Sequence, residues 1–206
     1  MPLNKLDIGA EMGKGWKLFQ ANMGLLILAT LLVSVLSAVT CGILAGPMVA
    51  GLLTLVRRLI QNDPVKPQVG DVFKGFDLFV PTLILLLLGG VAIAVLSVIP
   101  VLGQLAGIVV GAVLGWAMMF VTYEKLSAID AIKKVFGYAK SGEFTTPLLF
   151  VVLAGIVGGV GAIACGIGVF FTMPLAYCML SGAYETLFGN ANGNGSDAEV
   201  PPLPQV

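Results

Sequence analysis

The chain of 206 residues contains no histidine and only three cysteines, Cys41, Cys165 and Cys178. Without histidine it lacks the commonest general base and the commonest metal ligand, and neither a Ser-His-Asp nor a Cys-His arrangement can form. The cysteines follow no metal-ligand spacing. We therefore predict no enzymatic activity, no metal site and no cofactor.

Charge is also scarce, since Asp, Glu, Lys and Arg make up 11% of the chain, against about 25% in ordinary soluble domains. The 11 basic and 11 acidic residues balance, so nothing indicates a nucleic-acid partner. Three stretches hold no charge at all: Leu18–Val56, Leu78–Tyr123 and Phe144–Tyr184. Together with a mean hydropathy of +1.01, they are typical of an integral membrane protein.

Each uncharged stretch is about 40 residues long, and a helix needs about 20 apolar residues to cross a bilayer. Each stretch therefore predicts a hairpin of two helices, and the chain is predicted to be an all-α integral membrane protein with six transmembrane helices. Turn signals occur within the stretches, such as Gly46-Pro47 in the first. Five spans, or one re-entrant segment, are the alternatives that this pattern leaves open.

The basic residues predict the orientation of these hairpins. All 11 lie before the first uncharged stretch or between the stretches. The positive-inside rule then places these segments, and both termini, on the cytoplasmic side. No acidic or basic residue falls within a predicted span, which argues against a proton-coupled pump.

A short motif recurs twice at an offset of 60 residues, as EMGKGWKLF (Glu11–Phe19), DVFKGFDLF (Asp71–Phe79) and AIKKVFGYA (Ala131–Ala139). Each copy places apolar residues on one helical face and charges elsewhere. Such a short amphipathic helix beside a span is expected to lie in the membrane interface. We therefore predict three parallel repeats, each an interfacial helix followed by a transmembrane hairpin.

The predicted units cover approximately residues 7–62, 68–126 and 128–188, within a single membrane domain over residues 1–188. Residues 189–206 are rich in glycine, asparagine and proline and poor in apolar residues. We predict that this C-terminal tail is disordered, because it offers too little apolar surface to form a core.

The repeat aligns three lysines and three aromatic residues, Lys14, Lys74 and Lys134 with Trp16, Phe76 and Phe136. Lysine and aromatic side chains are both favourable at the headgroup level of a bilayer. These six residues are therefore candidate contacts to anionic lipid headgroups. Ordinary snorkelling of the lysines, which would only orient the helices, is the alternative interpretation.

Glycines recur every fourth residue in the predicted fourth span, at Gly103, Gly107, Gly111 and Gly115. This spacing leaves one helix face without side chains, so that another helix can approach closely. The face can pack against a span of the same chain, mediate self-association, or line a groove or pore. Gly155 and Gly159 predict a weaker version of the same contact in the fifth span.

Cys41 and Cys165 occupy similar places in the first and third units, each just before a glycine in a predicted outer turn. On an oxidising side of the membrane they could form a disulfide. Two small residues buried in separate turns are the alternative, and the sequence leaves this open.

The segment Gly46–Phe79 resembles a pattern found in prokaryotic integral-membrane families of unknown function, which are similar to the membrane domain of some glycerophosphoryl diester phosphodiesterases. The resemblance rests on a Gly-Pro span, a basic end and an aromatic elbow, with these residues: Gly46, Pro47, Gly51, Phe73, Gly75, Phe76 and Phe79. It implies a protein of a bacterial or archaeal inner (cytoplasmic) membrane, and it brings no catalytic residues.

These patterns favour a non-enzymatic multi-pass membrane protein that organises the membrane or binds partner components. The expected partners are membrane lipids, a second copy of the chain or another membrane protein. The alternative is a transporter or channel for a small or lipid-like solute, along a path between the repeats.

Overall fold

The computed structural model describes residues 6–98, 100–140, 145–163 and 168–189. These four ranges consist of helices and short turns, without a β-strand among them. The prediction of an all-α protein is therefore confirmed for this part of the chain. Cys165 and the predicted tail from residue 190 onward lie outside the described residues.

The helices follow one another closely along the chain. In order they are α1 (Ile8–Ala21), α2 (Met23–Val39), α3 (Ala45–Ile60), a 3-10 helix (Val69–Leu78), α4 (Phe79–Leu96), α5 (Pro100–Glu124), α6 (Ala128–Lys140), α7 (Thr145–Ile163) and α8 (Val169–Phe188). α1 begins after Asp7, whose carboxylate accepts a hydrogen bond from the Ala10 amide at 3.1 Å. This contact satisfies one of the free N–H groups in the first turn.

Two of the described helices are long and apolar enough to cross a membrane. They are Val69–Leu96, in which the 3-10 helix continues into α4, and Ala106–Glu124 within α5. The bent pairs α1–α2 and α6–α7 raise the number of candidates to four if each pair is one span, and α1 and α2 meet at 89°. Length and composition thus support two to four spans, and the six crossings stay a prediction.

The middle copy of the repeated motif forms a 3-10 helix, although an α-helix is the commoner form for a segment of this length. Three residues per turn place side chains three apart directly above one another. Phe73, Phe76 and Phe79 therefore stack in a ladder, with ring centroids 6.2 and 6.4 Å apart. The same period turns Val72 and Gly75 together into the bundle, where both are buried.

Two glycines set the separation between α3 and the 3-10 helix. A methyl group at Gly51 would overlap the Val72 carbonyl oxygen, and one at Gly75 would overlap the Pro47 carbonyl oxygen. The backbones touch because neither glycine carries a side chain. Since the contacting residues pair in opposite order along the chain, the two helices run antiparallel.

The other two copies of the motif also pack against a later or earlier helix. α1 lies on α8, where a methyl group at Gly15 would come within 2.6 Å of the Met179 side chain. α6 folds back on α5 and buries Val135. Gly15, Gly75 and Val135 hold the same position of the 60-residue pattern, and all three are buried.

The core lies around α8, which contacts α1, α2, α3 and α7. Its aromatic residues meet those of α5, with ring centroids 5.0 Å apart for Phe120 and Phe188 and 5.6 Å apart for Trp116 and Phe188. The Trp116 indole N–H donates to the Pro147 carbonyl at 3.2 Å. Aromatic pairs at such distances contribute about 0.5–1.5 kcal/mol beyond the area they bury.

We predict that Gly51→Ala and Gly75→Ala each lower the free energy of unfolding by about 3 kcal/mol, because the added methyl forces two backbones apart. Gly90→Ala in α4 is the matched control, since a methyl there meets no atom within 4 Å. It is expected to be neutral or to stabilise α4 by up to about 1 kcal/mol. Unfolding in mild detergent measures all three, and equal losses at Gly51 and Gly90 would contradict the close contact.

Candidate functional site

The three aromatic residues predicted to contact lipid are all exposed. Trp16, Phe76 and Phe136 are 46%, 38% and 52% exposed. The residue immediately before each of them is buried against another helix. Each repeated segment therefore has one face packed on the bundle and presents an aromatic side chain outward beside it.

Each of the three aligned lysines has a carboxylate partner within the protein: Lys14 with Glu11, Lys74 with Asp71, and Lys134 with Glu124. The first two pairs join residues three apart, and both lysines are well exposed. In both pairs the lysine is exposed while its carboxylate partner is largely buried, with Glu11 3% and Asp71 15% exposed. They hold the lysines in place on their helices, and a role in binding lipid headgroups stays a prediction.

Arg58 fastens the loop after α3 to the 3-10 helix. Its Nε donates to Asp63 at 2.7 Å, and its Nη1 donates to Asp71 at 2.6 Å. A third hydrogen bond reaches the Val65 carbonyl at 3.1 Å. The hydrogen bond from Arg58 lowers the pKa of Asp63 below its ordinary value, so this carboxylate stays charged to a lower pH than a free aspartate does.

A polar cluster that we did not predict lies where α3, α5 and α8 converge. Arg57 Nε donates to Glu185 at 2.6 Å, and Arg57 Nη1 donates to the Tyr123 carbonyl at 3.2 Å. The guanidinium also lies 4.7 Å from the centroid of the Tyr123 ring, a cation–π distance. The Tyr123 hydroxyl donates to the Leu53 carbonyl at 3.2 Å and lies 2.6 Å from Ser181 Oγ.

The cluster continues on the other side of α5 through Glu124. This carboxylate accepts a hydrogen bond from the Tyr184 hydroxyl at 2.7 Å and pairs with Lys134. The Lys134 ammonium lies 4.7 Å from the centroid of the Phe120 ring. Hydrogen bonds and ion pairs between partly exposed side chains thus join four helices, α3, α5, α6 and α8.

The sequence contains a signal for this cluster that we did not use. The segments VRRL, YEKL and YETL, at residues 56–59, 123–126 and 184–187, each fall near the C-terminal end of a predicted second hairpin helix. Their second positions are Arg57, Glu124 and Glu185, one cation and two carboxylates. A comparison of the ends of the repeats, in addition to their beginnings, would have grouped these three residues.

Glu11 is the most buried charged residue among those described, at 3% exposed. Its Oε1 accepts hydrogen bonds from Lys14 at 2.7 Å and from the Thr186 hydroxyl at 3.1 Å. Its Oε2 is buried without a hydrogen-bond partner within the described part of the chain. Glu11 thereby links α1 to the end of α8, beside the close contact at Gly15.

Only part of the glycine face on α5 packs within the chain. A methyl group at Gly103 would overlap the Leu96 carbonyl, at the turn from α4. One at Gly115 would lie 3.4 Å from the Val151 side chain of α7, an ordinary packing distance. These two glycines, at opposite ends of the predicted face, therefore serve contacts inside the bundle.

The middle of the glycine face is open. An added methyl group at Gly107 or Gly111 would meet no atom within 4 Å, and the same holds for Gly155 and Gly159 on α7. The close packing predicted at these four positions is not formed with any other described residue. Around these four glycines the described part of the chain leaves open space.

The described residues offer no group of three or more Cys, Asp or Glu side chains that could hold a metal ion. Cys41 is exposed and Cys178 is buried, and neither is bonded to another cysteine among the described residues. Because Cys165 lies outside the described residues, the alternatives for the pair Cys41 and Cys165 stay open.

No family model, no curated protein and no solved structure matches this chain. The resemblance of residues 46–79 to the membrane domain of some phosphodiesterases therefore stays a prediction. In this structure Pro47, Gly51 and Gly75 meet in the contact between α3 and the 3-10 helix, and Gly46 packs against Thr82 of α4. These four residues of the pattern thus have a packing role here.

We predict that Glu185→Gln lowers the free energy of unfolding by about 2 kcal/mol, because it leaves Arg57 partly buried without its counter-ion. Arg57→Met and Glu185→Met are also made singly and together. The double variant is expected to lose less free energy of unfolding than the sum of the losses in these two single variants. Lys133→Met is the control, since its pair with Asp130 is exposed and 4.0 Å long, worth under about 0.5 kcal/mol. A strictly additive double-mutant cycle would show that the pair is not coupled.

Proposed function

We propose that this chain is a non-enzymatic multi-pass protein of a bacterial or archaeal inner membrane, which organises the membrane or binds partner components. The observation that carries this proposal is the exposure of Trp16, Phe76 and Phe136 at one position of three repeated segments. Exposed aromatic side chains beside a packed helix face are favourable at the headgroup level of a bilayer. In this arrangement all three segments lie at one membrane surface.

The proposal includes three units related by repetition. Their first helices pack in the same way, on the second helix of another unit: α1 on α8, the 3-10 helix on α3, and α6 on α5. In every copy the lysine has a carboxylate partner, the next residue is buried and the aromatic residue after it is exposed. Repetition of one unit explains why the aligned residues have the same surroundings in all three copies.

The proposed six crossings use α2 with α3, α4 with α5, and α7 with α8, and the helices of each pair are in contact. α4 supports a membrane location most directly, because it exposes Leu87, Val91 and Val95 to the surroundings. A continuous apolar surface of this kind is unfavourable in water and favourable in hydrocarbon. Both termini then lie in the cytoplasm, on the side of the basic residues.

The packing between α5 and α8 favours organisation or partner binding over transport along that part of the bundle. Trp116, Phe120, Tyr184 and Phe188 occupy the space between α5 and α8, each at most 2% exposed. Large rings packed at native density leave no room there for a solute or a file of water molecules. A partner would instead bind on the outer surface of the spans.

The open glycines of α5 and α7 support a helix as that partner. In a bilayer, helices associate mainly through close van der Waals packing, for which glycine faces are suited. Gly107 and Gly111 lie one turn apart on α5 with free space in front of them. A second copy of the chain, or another membrane protein, fits this surface.

The membrane location is tested by tryptophan fluorescence, because Trp16 and Trp116 are the two tryptophans of the chain. In vesicles, lipids brominated near the headgroup end of the acyl chain are expected to quench Trp16, measured in the Trp116→Phe variant. Trp116 is fully buried, so its emission in the Trp16→Phe variant is the control and is expected to change little. Equal quenching of both, or none, would contradict an interfacial position for Trp16.

Partner binding through α5 is tested by the mass of the purified protein in mild detergent. Gly107→Leu with Gly111→Leu is expected to convert an oligomer into a monomer, or to release a co-purified membrane protein. Gly90→Leu on α4 is the control, because a methyl group there also meets no atom within 4 Å. A wild-type protein that is monomeric and free of partners would overturn this part of the proposal.

A further inference from the structure

A groove on the outside of the bundle is used by none of the contacts described above. It opens between α4, α5 and α6 and has an apolar lining, which includes Leu88, Ala92, Val109, Val113, Ile132 and Phe136. We propose that this groove binds an acyl chain of an anionic phospholipid, whose headgroup lies against Lys133 and Lys140 of α6. This inference rests on the proposed membrane location, because only a chain within a bilayer meets phospholipids continuously.

The shape of the groove suits a single hydrocarbon chain. Leu88 and Ala92 lie one turn apart on α4, as do Val109 and Val113 on α5. The lining therefore extends for at least one turn along both helices, about 6 Å. Gly89 forms part of the wall without a side chain, and the Leu114 side chain packs closely against it.

The mouth of the groove carries positive charge. Phe136 lines the groove, and Lys133 and Lys140 lie three residues before it and four residues after it, so all three share one face of α6. Lys133 is 74% exposed, and its nearest acidic partner, Asp130, lies at the 4.0 Å limit for an ion pair. Lys140 is exposed as well.

These lysines differ from Lys134 on the same helix, which pairs closely with Glu124. Both lysines are exposed, and within the described part of the chain neither forms an ion pair shorter than the 4.0 Å contact of Lys133, so their ammonium groups complement a phosphate group. An ammonium group near the membrane surface contributes about 1 kcal/mol to the attraction of anionic lipid. The apolar groove matches the acyl chain of a negatively charged phospholipid, and the two lysines beside it match the headgroup.

Recognition of the anionic headgroup is tested by titrating delipidated protein in mild detergent with phosphatidylglycerol or with phosphatidylcholine of the same acyl chains. Native mass spectrometry counts the bound lipids. Phosphatidylglycerol is expected to bind more tightly, and Lys133→Gln and Lys140→Gln each to reduce its affinity about fivefold. Phosphatidylcholine binding is expected to stay unchanged. Lys17→Gln, an exposed lysine on α1, is the control.

Binding of the acyl chain in the groove is tested with Ala92→Phe, which fills the space that the chain would occupy. It is expected to abolish tight binding of both lipids. Ala94→Phe, at an exposed position on the other side of α4, is expected to bind as the wild type does. The lysine variants change only exposed side chains, so they keep the inference falsifiable even where Ala92→Phe fails to fold.

Two results would overturn the inference: wild-type binding by a folded Ala92→Phe variant, or an unchanged preference for phosphatidylglycerol in both lysine variants. Binding of a second copy in the groove would appear as a dimer that Ala92→Phe abolishes without any change in lipid count, and it too would overturn the inference. Quenching of Trp16 separates the two proposals. If Trp16 is quenched normally while the groove binds no lipid, this inference fails and the membrane location stands.

Discussion

Direct backbone contact between α3 and the 3-10 helix is the constraint on which much of the structure depends. It exists because Gly51 and Gly75 have no side chains where the two helices meet. The contact buries Val72 and turns Phe73 and Phe76 outward. It brings the beginning of the apolar helix α4 against the bundle, so the position of α4 follows from it.

The electrostatic contacts are arranged around that packing at the helix ends. Arg57 and Glu185 join α3 to α8, Arg58 joins α3 to the 3-10 helix through Asp71, and Glu124 joins α5 to α6. Each pair retains some exposure, which limits the desolvation cost of bringing two charges together. The charged residues of these pairs lie outside the long apolar stretches.

Hydrophobic patterning was sufficient to predict the all-α class, since the uncharged stretches and the amphipathic motif depend only on local periodicity. The exposed positions of Trp16, Phe76 and Phe136 could also be expected from that motif. The 3-10 geometry of residues 69–78 could not, because the apolar spacing of this segment fits an α-helix equally well. The polar cluster around Arg57 depends likewise on which helix ends converge, and that is a property of tertiary packing.

The helix type of residues 69–78 also determines the length of this segment. Ten residues extend about 20 Å as a 3-10 helix, at about 2.0 Å each, but only about 15 Å as an α-helix, at 1.5 Å each. The segment leads directly into α4, so its winding fixes how far α4 stands from the end of α3. That difference of about 5 Å is a sixth of the thickness of a bilayer's hydrocarbon core. The geometry of one short helix thus determines where, relative to the end of α3, the adjoining apolar helix begins.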